Sequence, residues 1–185
     1  GEPFYARYTA EFENGAAFND IAKQFEEVHK HTLDSKTGLL FHAWDESKKM
    51  DWANKHTGTS PHFWSRSIGW YMMALVDVLD YMPKEHPKHK ELVKYLNNAA
   101  TALAKFQDKS GLWYQVTDKG GEKGNYLEAS GSSMFAYAFA KGANKGYLTA
   151  NYKKLANKAF DGLTKILFKK VDEDGGVTLP NWCQG

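Results

Sequence analysis

Between His42 and Trp70 the chain gathers residues that can do chemistry on a flat, anionic ligand. The stretch holds Trp44, Trp52, Trp64 and Trp70, four of the six tryptophans, together with His42, Asp45, Asp51, His56, His62 and Arg66. Tryptophan faces offer stacking platforms to the apolar C–H faces of sugar rings. Arg66 and Trp70 are four apart, so they share one face at the start of a helix. A cation in the first turn opposes the helix dipole. An anion there gains from both the guanidinium and the unpaired N–H groups. The residue types also fit a plainer arrangement, with Trp64 and Trp70 in the core and Arg66 paired to a carboxylate. His42 sits in His42-Ala43-Trp44-Asp45, which reads as a short strand, and a lone histidine there is commonly a hydrogen-bonded structural residue. Asp45 and Asp51 read as turn residues. No second His or carboxylate stands at a metal-ligand spacing on one helix, so neither metal nor cofactor is expected. The segment from Glu46 to His62 is long for a compact domain, and long loops are often binding loops.

The rest of the sequence supplies a repeating frame for this cluster. Three acidic turns recur about 70 residues apart: Asp34 to Leu39, Asp108 to Leu112 and Asp172 to Val177. In each, Asp offers side-chain-to-backbone bonds and Gly offers positive φ. Two kinds of helix alternate between them. Phe63 to Met82 and Leu127 to Ala140 are apolar nearly all round, so they are expected to be buried on most sides. Amphipathic stripes run through Phe18, Ile21, Ala22, Phe25 and Val28, through Leu92, Tyr95, Leu96, Ala99, Leu103 and Phe106, and through Tyr152, Leu155, Ala159, Leu163, Ile166 and Leu167. The order is inner helix, outer helix, turn and strand, then the same again. That is the pattern of an all-α fold, an α/α toroid built from helical hairpins, with 88–107 and 151–168 on the outside. A full ring of six such hairpins needs on the order of 400 residues, so this chain covers about half of one. A solenoid or a simple bundle is the plainer alternative. The small residues in Glu128-Ala129-Ser130-Gly131-Ser132-Ser133 permit close helix approach, and their hydroxyls could also meet a sugar. Gly142 and Gly146 are expected to break the helix that follows.

Composition removes several classes of function. The 185 residues carry 24 Lys and Arg against 22 Asp and Glu, a net charge of +2, so no basic excess is available for nucleic acid. No apolar run approaches the roughly 20 residues of a membrane helix. The single cysteine, Cys183, excludes an internal disulfide and a cysteine-based zinc cluster. Aromatic residues make up 15% of the chain, which suits ring-on-ring binding. The chain opens at Gly1-Glu2-Pro3 directly into a helical spacing of Phe4, Tyr5, Tyr8 and Phe12. It is therefore expected to be part of a longer protein, with residues 1–185 a partial barrel domain truncated at both ends.

Several blocks together resemble a known family. They are Gly38-Leu39-Leu40-Phe41-His42-Ala43-Trp44-Asp45, Trp52-Ala53, and Ser60-Pro61-His62-Phe63-Trp64-Ser65-Arg66-Ser67-Ile68-Gly69-Trp70-Tyr71. Glu2-Pro3-Phe4, Gly111-Leu112-Trp113-Tyr114-Gln115 and Glu128-Ala129-Ser130-Gly131-Ser132 extend the match along the chain. The sequence resembles the unsaturated rhamnogalacturonyl hydrolases, glycoside hydrolase family 105, whose fold is a six-hairpin α/α barrel. The resemblance implies a pectin-derived oligosaccharide substrate ending in a 4,5-unsaturated galacturonic acid linked to rhamnose. It implies hydration of the C4=C5 vinyl ether: an acid protonates C4, water adds at C5, and the hemiketal opens and expels the partner sugar. This differs from displacement between two carboxylates. The family's acid Asp lies just before the Glu-Pro-Phe block, hence upstream of Gly1, so no catalytic residue is expected within this chain. The binding wall carries over as His42, Trp64, Arg66 and Trp70. His42 would meet sugar hydroxyls or the adding water, Arg66 the uronate, and the tryptophans the ring faces. Expected partners are the oligosaccharide and the remaining N- and C-terminal parts of the same barrel, with no nucleic acid and no membrane, in a bacterial cytoplasm. Two other readings stand beside this one: an unsaturated glucuronyl hydrolase acting on glycosaminoglycan fragments, and a non-catalytic sugar-binding module.

Overall fold

The computed structural model describes residues 1–167, 170–171, 175–178 and 180–181. Its helices are α1 (Glu2–Phe12), α2 (Phe18–Thr32), α3 (Ser65–Val78), α4 (His89–Ala104), α5 (Ala129–Asn144) and α6 (Asn151–Gly162), the last running into a π-helical turn at Leu163–Leu167. Two short antiparallel ribbons pair β1 (Trp113–Tyr114) with β2 (Leu127–Glu128) and β3 (Lys170–Val171) with β4 (Val177–Thr178). No helix among the described residues is long and apolar enough to cross a membrane.

The helices form three hairpins in two layers. α1, α3 and α5 are successive neighbours in one layer, while α2, α4 and α6 each back onto their own hairpin partner. This is the inner and outer order expected from the sequence, with the 63–82 segment more buried than 88–107. The core lies between the layers. Met72, Leu75 and Val76 of α3 meet Leu92, Leu96 and Leu103 of α4 and Phe135 and Phe139 of α5. Trp113 is fully buried at its edge, with edge-on contacts to Phe135 at 5.1 Å and Phe139 at 5.9 Å.

Glycine sets how closely the inner helices approach. A Cβ on Gly131 would stand 2.9 Å from Ser65 Cβ and 3.0 Å from the Ser65 carbonyl carbon. The Glu128–Ser133 segment is thus a helix-packing surface. The repeated turns share one construction. Asp34 N–H donates to Leu39 O while Gly38, at φ +79°, donates back to Asp34 O. Asp108, Leu112 and Gly111, at φ +93°, repeat that pattern. Only glycine enters this left-handed region without cost. The third turn falls partly outside the described residues, as do the side chains of Ile166 and Leu167 in the last outer stripe.

One expectation is corrected. Gly142 lies inside α5, where it makes room for Leu148; the helix ends at Asn144, and Gly146 just past the cap, φ +77°, turns the chain so that Tyr147 N–H closes onto Gly142 O. The inner helix α3 is buried on most sides, as expected, with Trp70, 59% exposed, on its open face.

Candidate functional site

The start of α3 is anchored from outside the helix. Ser65 is fully buried. Its N–H donates to Gln115 O at 2.9 Å and its hydroxyl to Tyr114 O at 2.6 Å, and Thr117 N–H and Oγ1 both donate to Phe63 O. The chain after β1 therefore fixes Phe63, Trp64 and Ser65, and so the direction in which the following side chains leave. The start of α5 is fixed beside it. The Glu128 carboxylate, itself fully buried, accepts from Ser130 N at 2.9 Å, Ser130 Oγ at 2.6 Å and Gly131 N at 2.6 Å. A carboxylate capping free N–H groups also complements the helix dipole.

The long loop is organised by its own polar side chains. Asp45 accepts from the N–H groups of Ser47, Lys49 and Met50, and these bonds hold its carboxyl below the usual range. Asp45 is thus a turn residue, as expected. The expected strand at His42 to Asp45 is reduced to a ladder of single bridges. Ser60 N–H donates to Ala43 O, Asp45 N–H donates to Gly58 O, and Trp44 pairs with Thr59. This closure returns Ser60 and His62 to the side of His42, whose Nδ1 lies 3.0 Å from His62 O and 3.1 Å from Ser60 Oγ.

A groove opens over this arrangement. One lobe, about 500 Å³, is walled by Glu2 and Pro3 of α1, Phe25 of α2, and Trp70, Met73 and Asp77 of α3. The other, about 470 Å³, is walled by Glu27 and His31 of α2, by Phe41 and Trp44, and by Ile68. Val28, His42, Ser67 and Tyr71 line both, so the lobes meet there. His31 stacks on Trp44 at 3.7 Å between ring centroids and 19° between planes. At the far end Asp77 accepts from Tyr137 OH at 2.7 Å and pairs with Lys141 at 2.6 Å. Burial opposes the Lys141 charge, but its bonds to Asp77, Asp80 and Tyr137 outweigh that and raise its pKa.

Of the four residues singled out from sequence, His42, Trp64 and Arg66 touch in turn, and Trp70 shares a groove lobe with His42. Trp70 and His42 line the groove. His42 meets Trp64 edge-on at 6.2 Å, and the Arg66 guanidinium lies 5.7 Å from the Trp64 ring centroid. Trp64 and Arg66 are half-buried beside the groove and wall neither lobe. Trp70 is not a core residue. Sequence reasoning missed Ser67, Tyr71 and the His31–Trp44 stack. Ser67, Trp70, Ala74 and Asp77 do recur at helical spacing, a signal hidden by reading α3 as apolar all round. Among the described residues no group of three or more His, Cys, Asp or Glu side chains is placed to hold a metal ion.

The chain is 50% identical to a C. acetobutylicum glycoside hydrolase from family 105, with a TM-score of 0.92 over 97% of this chain and 50% of that one. Unsaturated rhamnogalacturonyl hydrolase YesR of Bacillus subtilis is 30% identical over 87% of this chain and 41% of its own length. Protein Atu3128 of Agrobacterium fabrum is 37% identical over 97% of this chain and 77% of its own. The chain thus spans about half the length of the solved family 105 structure. The sequence profile described as Glycosyl Hydrolase Family 88 matches residues 1–185, and the chain belongs to that family.

Proposed function

We propose that residues 1–185 form the substrate-binding arc of an α/α-toroid enzyme that removes a terminal 4,5-unsaturated galacturonic acid from rhamnose in pectin fragments. The observation that carries this reading is the groove on the inner layer, where an exposed tryptophan, a histidine and a serine hydroxyl converge. An exposed indole gives a sugar ring a face to stack on. His42 and Ser67 supply hydrogen-bonding groups for hydroxyls and water. Arg66 supplies positive charge at the first turn of α3, whose start has no side-chain cap. Catalysis in this reading is protonation of C4 by an acid, addition of water at C5, and opening of the hemiketal with expulsion of the partner sugar. The acid belongs to sequence outside residues 1–185.

Chemistry limits what the groove can recognise. Elimination by a lyase makes C4 trigonal, so unsaturated galacturonyl and glucuronyl residues become the same residue. Discrimination between pectin fragments and glycosaminoglycan fragments must therefore come from the leaving sugar. The test is loss of the C4=C5 ultraviolet absorbance when the enzyme carrying this chain meets rhamnose-linked or hexosamine-linked unsaturated disaccharides. We expect the rhamnose-linked substrate to react with at least about tenfold higher kcat/KM, a difference of roughly 1.4 kcal/mol in transition-state binding. Reversed preference would support the glucuronyl alternative, and no loss of absorbance with either would leave a non-catalytic sugar-binding module.

A further inference from the structure

His42 is tied down on one side of its ring and open on the other. We propose that the His62 carbonyl and Ser60 hold His42 in the tautomer that carries its proton on Nδ1, so that Nε2 is presented as a hydrogen-bond acceptor to the groove. Ser60 is then a positioning residue for His42. The assignment follows from what each neighbour can do. A carbonyl oxygen only accepts, so the 3.0 Å approach of Nδ1 to His62 O requires a proton on Nδ1. The opposite tautomer would set two lone pairs against each other at that distance. A neutral imidazole protonated on Nδ1 has a bare Nε2. Ser60 Oγ lies 3.1 Å from the same nitrogen and also receives Ala43 N–H at 3.2 Å. Ser60 is buried, and its Oγ, already accepting from Ala43 N–H, stands as a second acceptor for the Nδ1 proton. Among the described residues Nε2 has no hydrogen-bond partner, and the ring is exposed where the two lobes meet.

The consequence is a specificity rule for the groove, and it rests on reading the groove as the sugar site. A bare Nε2 takes a hydrogen from a sugar hydroxyl or from the water that adds at C5. It repels a carboxylate oxygen. The uronate carboxylate is therefore held away from His42, and a hydroxyl or the adding water is held against it. Closure of the loop between Ala43 and Ser60 sets this polarity, so residues remote from the sugar decide what His42 can bind.

Two measurements test the proposal. The first is long-range proton–nitrogen NMR of His42 in the labelled chain at neutral pH, which separates a protonated from a bare ring nitrogen. The expected result is a protonated Nδ1 and a bare Nε2, with Ser60→Ala giving a mixture of tautomers. A protonated Nε2 in the wild-type chain overturns the assignment whether or not the enzyme acts on unsaturated sugars. The second is a double-mutant cycle in the enzyme carrying this chain, with circular dichroism as the fold control. Ser60→Ala should lower kcat about tenfold, the size of one hydrogen bond, and Ser60→Thr should restore it. In a His42→Ala background Ser60→Ala should cost nothing further. Equal losses in both backgrounds would make Ser60 merely structural. No turnover by the wild-type enzyme would refute the sugar-site reading, and the specificity rule with it, and leave the tautomer to be judged by NMR alone.

Discussion

Replacing Trp70 and Trp113 by alanine should give opposite outcomes, although both residues are tryptophans within the same two layers. Trp113 is fully buried, its ring edge-on to Phe135 and Phe139, and its Nε1 donates to Leu103 O at 2.9 Å. Trp113→Ala leaves a cavity worth about 3–5 kcal/mol. It also removes one of the two donors to Leu103 O, which keeps the Phe106 N–H, adding about 1 kcal/mol. Trp70 is 59% exposed. Its covered part is on the order of 100 Å², or about 2.5 kcal/mol by area. The compact unfolded chain and the retained Cβ lower that toward about 1 kcal/mol. For a chain of this size each kcal/mol moves Tm by about 2–4 °C. Trp70→Ala should thus melt within about 4 °C of wild type, and Trp113→Ala at least about 10 °C lower. Thermal circular dichroism reads both. If the proposed activity holds, Trp70→Ala in the full-length protein should lower kcat/KM for the unsaturated disaccharide at least about tenfold. A Trp70→Ala chain as unstable as Trp113→Ala, or one that melts and turns over as wild type, would refute the assignment of Trp70 to the binding wall.

Four further outcomes follow from the same geometry. Arg66→Ala should weaken binding of the unsaturated disaccharide by about ten- to a hundredfold, the value of a charge-assisted hydrogen bond, with less effect on a neutral sugar; equal effects would return Arg66 to a structural role. Gly131→Ala meets the Ser65 carbonyl carbon at 3.0 Å and should destabilise the chain by about 1–3 kcal/mol despite alanine's helix propensity, as read by urea melts. Burial, with Lys94 near His29 and Lys84 near His89, lowers both histidine pKa values below the ordinary value. Their contribution to stability is therefore present above about pH 6.5 and is lost as pH falls through the lowered values, so Tm should drop on acidification and less steeply in a His29→Gln chain. Phe4, Tyr8 and Phe12 form an exposed ring ladder on α1, with Phe4 77% and Phe12 71% exposed, so the isolated chain should associate in sedimentation experiments; a monodisperse monomer would contradict that.

The frame of this molecule was legible because its signals are local. Period-3.6 stripes such as Leu92, Leu96, Ala99 and Leu103 report burial directly, and the Asp-to-Gly turns declare their positive φ by residue type. Of the groove lining, Trp70 and His42 were legible, marked out by rare residue types. What stayed hidden depends on three-dimensional closure. Tyr71, directly after Trp70, is buried in the core yet walls both lobes of the groove, and sequence spacing cannot express that. Ser60 looks like any loop serine until the ladder to Ala43 brings it against the His42 ring. Gly142 carries the same type as the helix-ending Gly146, and only the packing of Leu148 tells them apart.

The most direct test of the binding assignment is a crystal structure of the enzyme carrying this chain with an unsaturated rhamnogalacturonan disaccharide bound and its acid residue disabled. The account predicts the unsaturated ring in the groove, stacked against Trp70, with a hydroxyl or a water within hydrogen-bond reach of His42 Nε2 and the carboxylate turned away from that nitrogen. A sugar bound away from the groove, or a carboxylate seated on His42 Nε2, would contradict it.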